Sequence, residues 1–129
     1  MTVIDASALA GWLLPDEGEP DLSDLIASGE LSAPWLLWVE LRNILLVVER
    51  RGRVAADETA EILEAVGQIG ISLRTDFETS RVMSLCRRHS LTAYDGLYLD
   101  LAIREGSPIA SLDKALVAAA KVEDVEVVG

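Results

Sequence analysis

Two aspartates directly follow short apolar segments that are typical of buried strands. Asp5 comes after residues 2–4, and Asp113 comes after residues 108–111, where it also opens a predicted helix. Because the carboxyl ends of parallel strands lie at one edge of a sheet, we expect both side chains at that edge. Each aspartate also has an ordinary structural interpretation, since Asp5 could simply end a strand and Asp113 could simply cap a helix.

Glu40 is the acid with the least ordinary surroundings. It lies in the middle of a long predicted helix, among the apolar residues Trp38, Val39, Leu41, Ile44 and Val47. At about 100° per residue, Asn43 is about 60° from Glu40 on the helix, whereas the charges of Arg42 and Glu49 point the opposite way. A carboxylate on an apolar face is costly to bury unless something pairs with it. No base lies on that face of the helix, so a cation held together with other carboxylates would satisfy Glu40.

Asp95 is predicted to lie in the first turn of a later helix. Thr92 and Asp95 have the spacing of a capping box, which is a structural alternative to a role in chemistry. Asp100 lies about 140° further around the same helix and has Arg104 four residues on, which predicts an exposed ion pair outside the site.

Four converging carboxylates would repel one another, so this set predicts a cation site. Hard oxygen ligands suit Mg²⁺ or Mn²⁺. One or two such ions can activate a water and clamp the oxygens of a phosphodiester. A single cysteine, Cys86, and a single histidine, His89, exclude a Cys2His2-type zinc site. A Ser-His-Asp arrangement is not expected, because the one histidine lies at a predicted helix end. His89 is predicted to bind carbonyls or a phosphate at a helix end.

The composition is that of a folded chain of modest size. Its 129 residues are 50% hydrophobic and 26% charged, which excludes a disordered chain and predicts one domain over residues 1–129. The net charge of −11 argues against binding nucleic acid over a broad surface. No apolar run approaches the roughly 20 residues of a membrane span. With no signal peptide and one cysteine, the chain is predicted to be cytoplasmic.

Strands and helices are predicted to alternate along the chain. The predicted strands are residues 2–4, 69–73, 108–111 and 125–128. The predicted helices are residues 6–14, 34–51, 57–66, 75–89, 92–106 and 113–120, with an acidic loop over 16–24 and Thr75 and Glu78 forming a capping box. This alternation favours a mostly parallel sheet covered by helices on both faces, with ligands beyond the carboxyl ends of the strands.

The four acids lie in segments that together resemble the PIN-domain ribonucleases, in particular the VapC-type toxins of bacterial toxin–antitoxin modules. These segments are VIDASAL at residues 3–9, VELRN at 39–43, LTAYDGLYLDLA at 91–102 and SLDKAL at 111–116. Each is weak alone, but all four in this order and at these separations are highly specific.

The resemblance implies a three-layer α/β/α PIN-like domain with a mostly parallel central sheet. It carries the family's acidic, metal-binding and catalytic positions onto Asp5, Glu40, Asp95 and Asp113. The matching small polar positions are Ser7, Asn43 and Ser111, the last standing where the family often has threonine. Gly96 and Asp100 stand where many members have alanine. The resemblance also implies Mg²⁺- or Mn²⁺-dependent cleavage of RNA such as tRNA, a homodimer, and a cognate VapB-like antitoxin.

Two kinds of surface residue are predicted to meet partners. Trp12, Trp35 and Trp38 should not all be buried in one monomer, because the long helix is more apolar than one sheet contact requires. They would face a second copy or an antitoxin helix. The candidate RNA contacts are Arg50, Arg51, Arg53, Arg87, Arg88 and His89. Helix C-termini favour such charges in any protein, so a purely structural role is equally open.

Two other classes of function remain open at this point. One is a non-catalytic PIN-fold binding module that only pairs with an antitoxin and helps regulate transcription, in which Glu40 would have no use. The other is a receiver-like phosphoacceptor with an acidic Mg²⁺ pocket. It would need a lysine at a strand end and would not need a buried glutamate in mid-helix.

Overall fold

The computed structural model describes residues 1–14 and 21–128. In this part of the chain the strands are β1 (Thr2–Ile4), β2 (Leu31–Pro34), β3 (Ser72–Arg74), β4 (Ile109–Ala110) and β5 (Val127–Val128). The helices are α1 (Ala6–Leu13), α2 (Ser23–Ala27), α3 (Leu36–Arg50), α4 (Ala56–Ile69), α5 (Thr79–His89), α6 (Ala93–Glu105) and α7 (Lys114–Val122). Most of the predicted acidic loop, residues 16–20, lies outside the described residues.

The strands form one parallel sheet in the order β3-β2-β1-β4-β5. The chain leaves β1 toward β2 and β3, then crosses back to β4 and β5, so the direction of the connections reverses between β1 and β4. In open α/β sheets such a reversal leaves a crevice at the carboxyl ends of the two strands. The pairing of Ile4 with Ala110 brings the ends of β1 and β4 side by side there.

Helices cover both faces of the sheet. Helices α1, α3 and α4 pack together on one face, and α5, α6 and α7 pack together on the other, as right-handed crossovers require. Helix α6 contacts β1, β2 and β4, and its residues from Tyr98 to Ala102 are buried in succession. A helix that is buried on most of its circumference has to be apolar on most of it. The three-layer α/β/α fold with a parallel sheet is thereby confirmed.

Strand β2 was not among the predicted strands, and Pro34 does not begin a helix. Residues 31–34 are all buried, and Pro34 ends the strand. The hydrogen bond that continues the contact with β3 is donated by the backbone N–H of Trp35 to the carbonyl oxygen of Arg74, at 2.8 Å. The missing N–H of Pro34 is therefore tolerated at this strand end.

Two other predicted boundaries were wrong. Helix α4 continues to Ile69, so this residue is not in the strand, and β3 is confined to Ser72–Arg74. Helix α5 begins at Thr79 with Glu78 as its N-cap residue, so Thr75 does not cap it. The Glu78 carboxylate instead accepts a hydrogen bond from Ser80 and pairs with Arg81 at 2.6 Å. None of the helices within residues 1–14 and 21–128 is long and apolar enough to cross a bilayer.

Candidate active site

Asp5 lies at the carboxyl end of β1 and is only 4% exposed. Its backbone N–H donates to the carbonyl oxygen of Ala110 at 3.1 Å, and its side chain caps α1 by accepting from the N–H of Ala8 at 2.9 Å. Burial raises the pKa of the Asp5 carboxyl, although hydrogen bonds from Ser111, Ala8 and Ser7 act in the opposite direction. Asp5 is therefore a cap and, at the same time, a buried acid at the crevice.

Two serines hold the Asp5 carboxylate from opposite sides. The Ser7 hydroxyl donates to Oδ1 of Asp5 at 2.7 Å and accepts from the backbone N–H of Leu112 at 2.9 Å. The Ser111 hydroxyl donates to Oδ2 at 2.5 Å and accepts from the N–H of Asp113 at 3.0 Å. Both serines thus join the end of β1 to the loop that follows β4, and together they fix the position of Asp5.

Glu40 is half-buried on α3 and has a hydrogen-bond partner that its own helix does not supply. The Tyr98 hydroxyl, on α6, donates to Oε1 of Glu40 at 2.7 Å. Burial raises the pKa of Glu40, while the Tyr98 bond lowers it and the charge of Asp5 raises it. The sequence analysis expected a cation to satisfy Glu40 and did not foresee this neutral donor, which reaches Oε1 from a helix on the opposite face of the sheet.

Asp95 lies in the first turn of α6, after the N-cap residue Thr92. The Thr92 hydroxyl accepts from the Asp95 N–H at 3.2 Å, as the predicted cap requires. Burial, followed by the charges of Asp113, Asp5 and Glu40, raises the pKa of Asp95 to about 6. Capping therefore does not account for the environment of Asp95.

Asp113 is the N-cap residue of α7. Its side chain accepts from the N–H of Leu116 at 3.0 Å, which is the structural role that the sequence left open. Its negative charge also raises the pKa of Asp95 and of Asp5. The cap and the electrostatic contact with the other acids are present together.

The four acids come from four helix starts or helix faces and act on one another through their charges. The donor set, carboxylates together with the hydroxyls of Ser7 and Ser111, is of the kind that hard divalent cations prefer. Within the described residues, the acidic, histidine and cysteine side chains as placed form no group of three or more that could hold a metal ion. The carboxylate and hydroxyl donors are of the right kind for a cation. In this conformation, however, the acids among the described residues are not close enough together to bind one.

The remaining predicted residues lie outside this set of contacts. Asn43 is exposed, one turn beyond Glu40 on α3. His89 neither caps carbonyls nor stands free: its Nε2 lies 2.6 Å from Glu123, which also pairs with Arg88 at 2.7 Å. Two of the candidate RNA contacts are therefore held by an acid of the protein itself.

Asp100 is not the exposed ion pair that the sequence suggested. It is 1% exposed and pairs with Arg104 at 2.9 Å and with Arg81 at 3.2 Å. Arg104 also contacts Asp76, which ties the loop before α5 to α6. The pairing with Arg104 was predicted correctly, but its burial and its second arginine were not.

Gly96 is explained by its neighbour on α5. A Cβ atom at this position would overlap the Sγ atom of Cys86, which is buried and contacts the Thr92 carbonyl oxygen. The glycine therefore makes room for a sulfur atom, and it lies beside Asp95 on the tightly packed contact between α5 and α6.

Tyr98 is the contact of the acidic site that the sequence analysis missed. It lies one turn after Asp95, so both side chains lie on one side of α6. That spacing was a usable signal, but an aromatic residue in an apolar helix most often belongs to the core. Only the three-dimensional structure shows that its hydroxyl meets Glu40 of α3.

The chain is similar to known proteins in both sequence and structure. The PIN domain family matches residues 2–122. Ribonuclease VapC3 of Pyrobaculum aerophilum is 29% identical over 118 residues, which cover 88% of this chain and 90% of that protein. The crystal structure of PAE2754, also from Pyrobaculum aerophilum, has 25% identity and a TM-score of 0.76 over 92% of this chain and 84% of that chain.

A more distant structure agrees in fold. FitAcB from Neisseria gonorrhoeae has 19% identity and a TM-score of 0.69, and the match covers all of this chain and 97% of that chain. At this identity the likeness concerns the fold alone. The family match and the ribonuclease relative together support a nuclease. The chain belongs to the PIN-domain family and is similar over most of its length to a VapC ribonuclease.

Proposed function

We propose that this protein is an endoribonuclease toxin that depends on Mg²⁺ or Mn²⁺ and uses Asp5, Glu40, Asp95 and Asp113. One observation carries the proposal: Asp95 lies within reach of the charges of Asp113, Asp5 and Glu40 at the crevice between β1 and β4, and burial, followed by these charges, raises its pKa to about 6. Carboxylates that repel one another in the free protein are a ready site for positive charge. The same crevice is where open α/β sheets bind ligands.

The acids of the site would have different roles in binding the metal. Asp5, whose carboxylate accepts hydrogen bonds from Ser7, Ala8 and Ser111, is held by more of them than any other of the four acids and would anchor one or two cations. Asp95 and Asp113 lie at helix starts, and their side chains would rotate toward the cation when its charge removes their repulsion. A bound Mg²⁺ or Mn²⁺ would supply an activated water and stabilise negative charge on a phosphodiester.

RNA would be bound locally, because the net charge of −11 opposes broad contact with a polyanion. Arg50 at the end of α3 is ten residues beyond Glu40, which is about 15 Å along the helix. A structured RNA such as tRNA is large enough to reach both the acids and this basic end. Arg51 and Arg53 follow in the same segment.

A VapB-like antitoxin and a second copy of the chain are the proposed protein partners. Trp35, the residue before α3, and Trp38 on α3 are 47% and 53% exposed, and Val39 and Leu46 of α3 are exposed as well, so the tryptophans are not all buried in the monomer. A groove of about 240 Å³ between α3 and α4 contains Trp38, with the Arg42 guanidinium stacked 3.7 Å from its ring. Apolar grooves of this kind accept amphipathic helices.

The proposal is tested by RNA cleavage with purified protein that carries no antitoxin. We expect cleavage with Mn²⁺ or Mg²⁺, none with EDTA, and a loss of about 100-fold or more in Asp5→Asn, which weakens metal binding directly. Asp57→Asn, an exposed first-turn acid of α4, is the matched control and should cleave at the wild-type rate. Cleavage in EDTA, or an undiminished rate in Asp5→Asn, would show that this site is not a metal-dependent nuclease.

A further inference from the structure

The buried hydroxyl of Tyr98, on α6, lies next to α1 and α3, the helices that carry or begin at Asp5 and Glu40. Tyr98 is 1% exposed, and its oxygen lies between Glu40 of α3 and the first turn of α1. It donates to Oε1 of Glu40 at 2.7 Å, and it lies close to the backbone of Ala6, the residue next to Asp5. Tyr98 itself is three residues after Asp95 on α6. The hydroxyl therefore contacts, or lies next to, the elements that bear three of the four acids.

The hydrogen bond to Glu40 gives the hydroxyl proton a fixed direction. The backbone of Ala6, in the first turn of α1, lies close to the Tyr98 oxygen and favours negative charge on it. Since the ring is enclosed by the core, the hydroxyl cannot follow Glu40 if that side chain turns away. A half-buried carboxylate on a long side chain would otherwise have several rotamers open to it.

We infer that Tyr98 is a positioning residue that holds one oxygen of Glu40 in place and leaves the other for a divalent cation. This inference rests on the proposed function, since it concerns the same acids. It explains why Glu40 can lie on an apolar part of α3 without a basic partner on that helix. It also assigns a role to a core tyrosine that neither caps a helix nor faces solvent. Partners of metal-binding carboxylates are known to act in this way on affinity.

The test is the binding of Mn²⁺ to Tyr98→Phe, measured by calorimetry without RNA. The change removes the hydroxyl and keeps the ring that packs in the core. We expect the dissociation constant for Mn²⁺ to rise about 10-fold to 100-fold. Tyr94→Phe is the matched control, because it removes the same group from a ring on the same helix that is 58% exposed. It should bind Mn²⁺ as the wild type does.

A second measurement separates positioning from mere stability. If Tyr98 acts through Glu40, Tyr98→Phe should have no further effect on Mn²⁺ binding when Glu40→Gln is already present. RNA cleavage by Tyr98→Phe should recover at high Mn²⁺, with the maximal rate nearly restored. A residue that only supports the core would lower the melting temperature and leave the Mn²⁺ affinity of the folded protein unchanged.

The experiments distinguish failure of the Tyr98 inference from failure of the proposed function. If the folded Tyr98→Phe variant binds Mn²⁺ as tightly as the wild type, the inference is overturned and the nuclease proposal stands. If the wild type binds no Mn²⁺, the proposed function is overturned and the inference with it. Should Tyr98→Phe not fold, the wild-type structure with Mn²⁺ decides. Retention of the bond between the Tyr98 hydroxyl and Glu40 supports the inference, and a Glu40 side chain turned away from Tyr98 overturns it.

Discussion

Removing the charge of Asp95 should stabilise the metal-free protein at neutral pH. Asp95 is half-buried, and burial, followed by the charges of Asp113, Asp5 and Glu40, raises its pKa to about 6. Without a cation, the ionised form of Asp95 is therefore less favourable in the folded protein than in the unfolded chain. Asp95→Asn keeps the shape of the side chain and removes this penalty.

The expected size follows from the change in pKa. A rise from 3.8 to about 6 is roughly two pH units, and at 1.36 kcal/mol per unit the upper bound is about 3 kcal/mol. Asp95 is only half-buried, so screening by solvent reduces this to about 1.5 kcal/mol. Loss of a negative charge from the first turn of α6 costs about 0.5 kcal/mol. The net gain of about 1 kcal/mol corresponds to about 3–5 °C in melting temperature for a chain of this length.

The pH dependence of the stability gain shows whether the ionised carboxyl of Asp95 is its cause. The pKa of Asp95 is higher in the folded state than in the unfolded state, so the folded protein binds the proton more tightly. Asp95 therefore lowers the free energy of unfolding as the pH rises from about 4 to about 6, and no further change follows above this range. Asp95→Asn should match the wild type near pH 4 and exceed it from pH 6 upward.

The assay is thermal unfolding in EDTA between pH 4 and pH 8, followed by circular dichroism. Asp57→Asn is the control, because Asp57 is also a first-turn acid but lies exposed on α4. It should lose a few tenths of a kcal/mol at every pH at which the aspartate is charged. If Asp95→Asn is destabilised like Asp57→Asn and shows no gain between pH 4 and pH 6, the four acids do not share a site.

Three further predictions concern packing and partners. Gly96→Ala should lower the free energy of unfolding by about 1–3 kcal/mol, because the added Cβ overlaps the Sγ atom of Cys86. Adding Cys86→Ala should recover most of this loss. Chemical denaturation of the single and the double variant measures it, and no recovery in the double variant would contradict the overlap. Asp100→Ala should cost about 2–3 kcal/mol because it removes a buried carboxylate that accepts from both Arg104 and Arg81. Asp76→Ala, on an exposed carboxylate, should cost less than about 1 kcal/mol; equal losses would contradict the burial of Asp100. Trp35→Ala should leave the melting temperature nearly unchanged and weaken self-association by at least about 2 kcal/mol in analytical ultracentrifugation; unchanged association would remove Trp35 from the dimer surface.

The fold was predictable where local signals and burial pointed the same way. Gly106 after α6 and Thr92 before it marked that helix correctly, and both have the conformations expected of caps. Strand β2 could not be recognised, because all four of its residues are buried and no alternation remains to be seen. Its proline favoured a helix start, and only the pairing of β2 with β1 and β3 shows otherwise.

The acids could be predicted from their positions, but their partners could not. Asp5 and Asp113 follow strands whose carboxyl ends must meet, so their proximity follows from topology. The hydrogen bond between Tyr98 and Glu40 joins residues 58 positions apart. The burial of Asp100 likewise depends on how α5 packs against α6, which brings Arg81 to it. Such contacts depend on how the helices and the sheet pack together, and the pattern of residues along one helix gives no information about that.

The most direct test of the central claim is anomalous diffraction from crystals grown with Mn²⁺. The account predicts a manganese peak at the carboxyl ends of β1 and β4, at about 2.0–2.2 Å from oxygens of Asp5 and at least one of Glu40, Asp95 and Asp113. The same crystals of Asp5→Asn should show a weaker peak or none. A peak elsewhere on the protein, or none at saturating Mn²⁺ in wild-type crystals, would contradict the four-acid metal site.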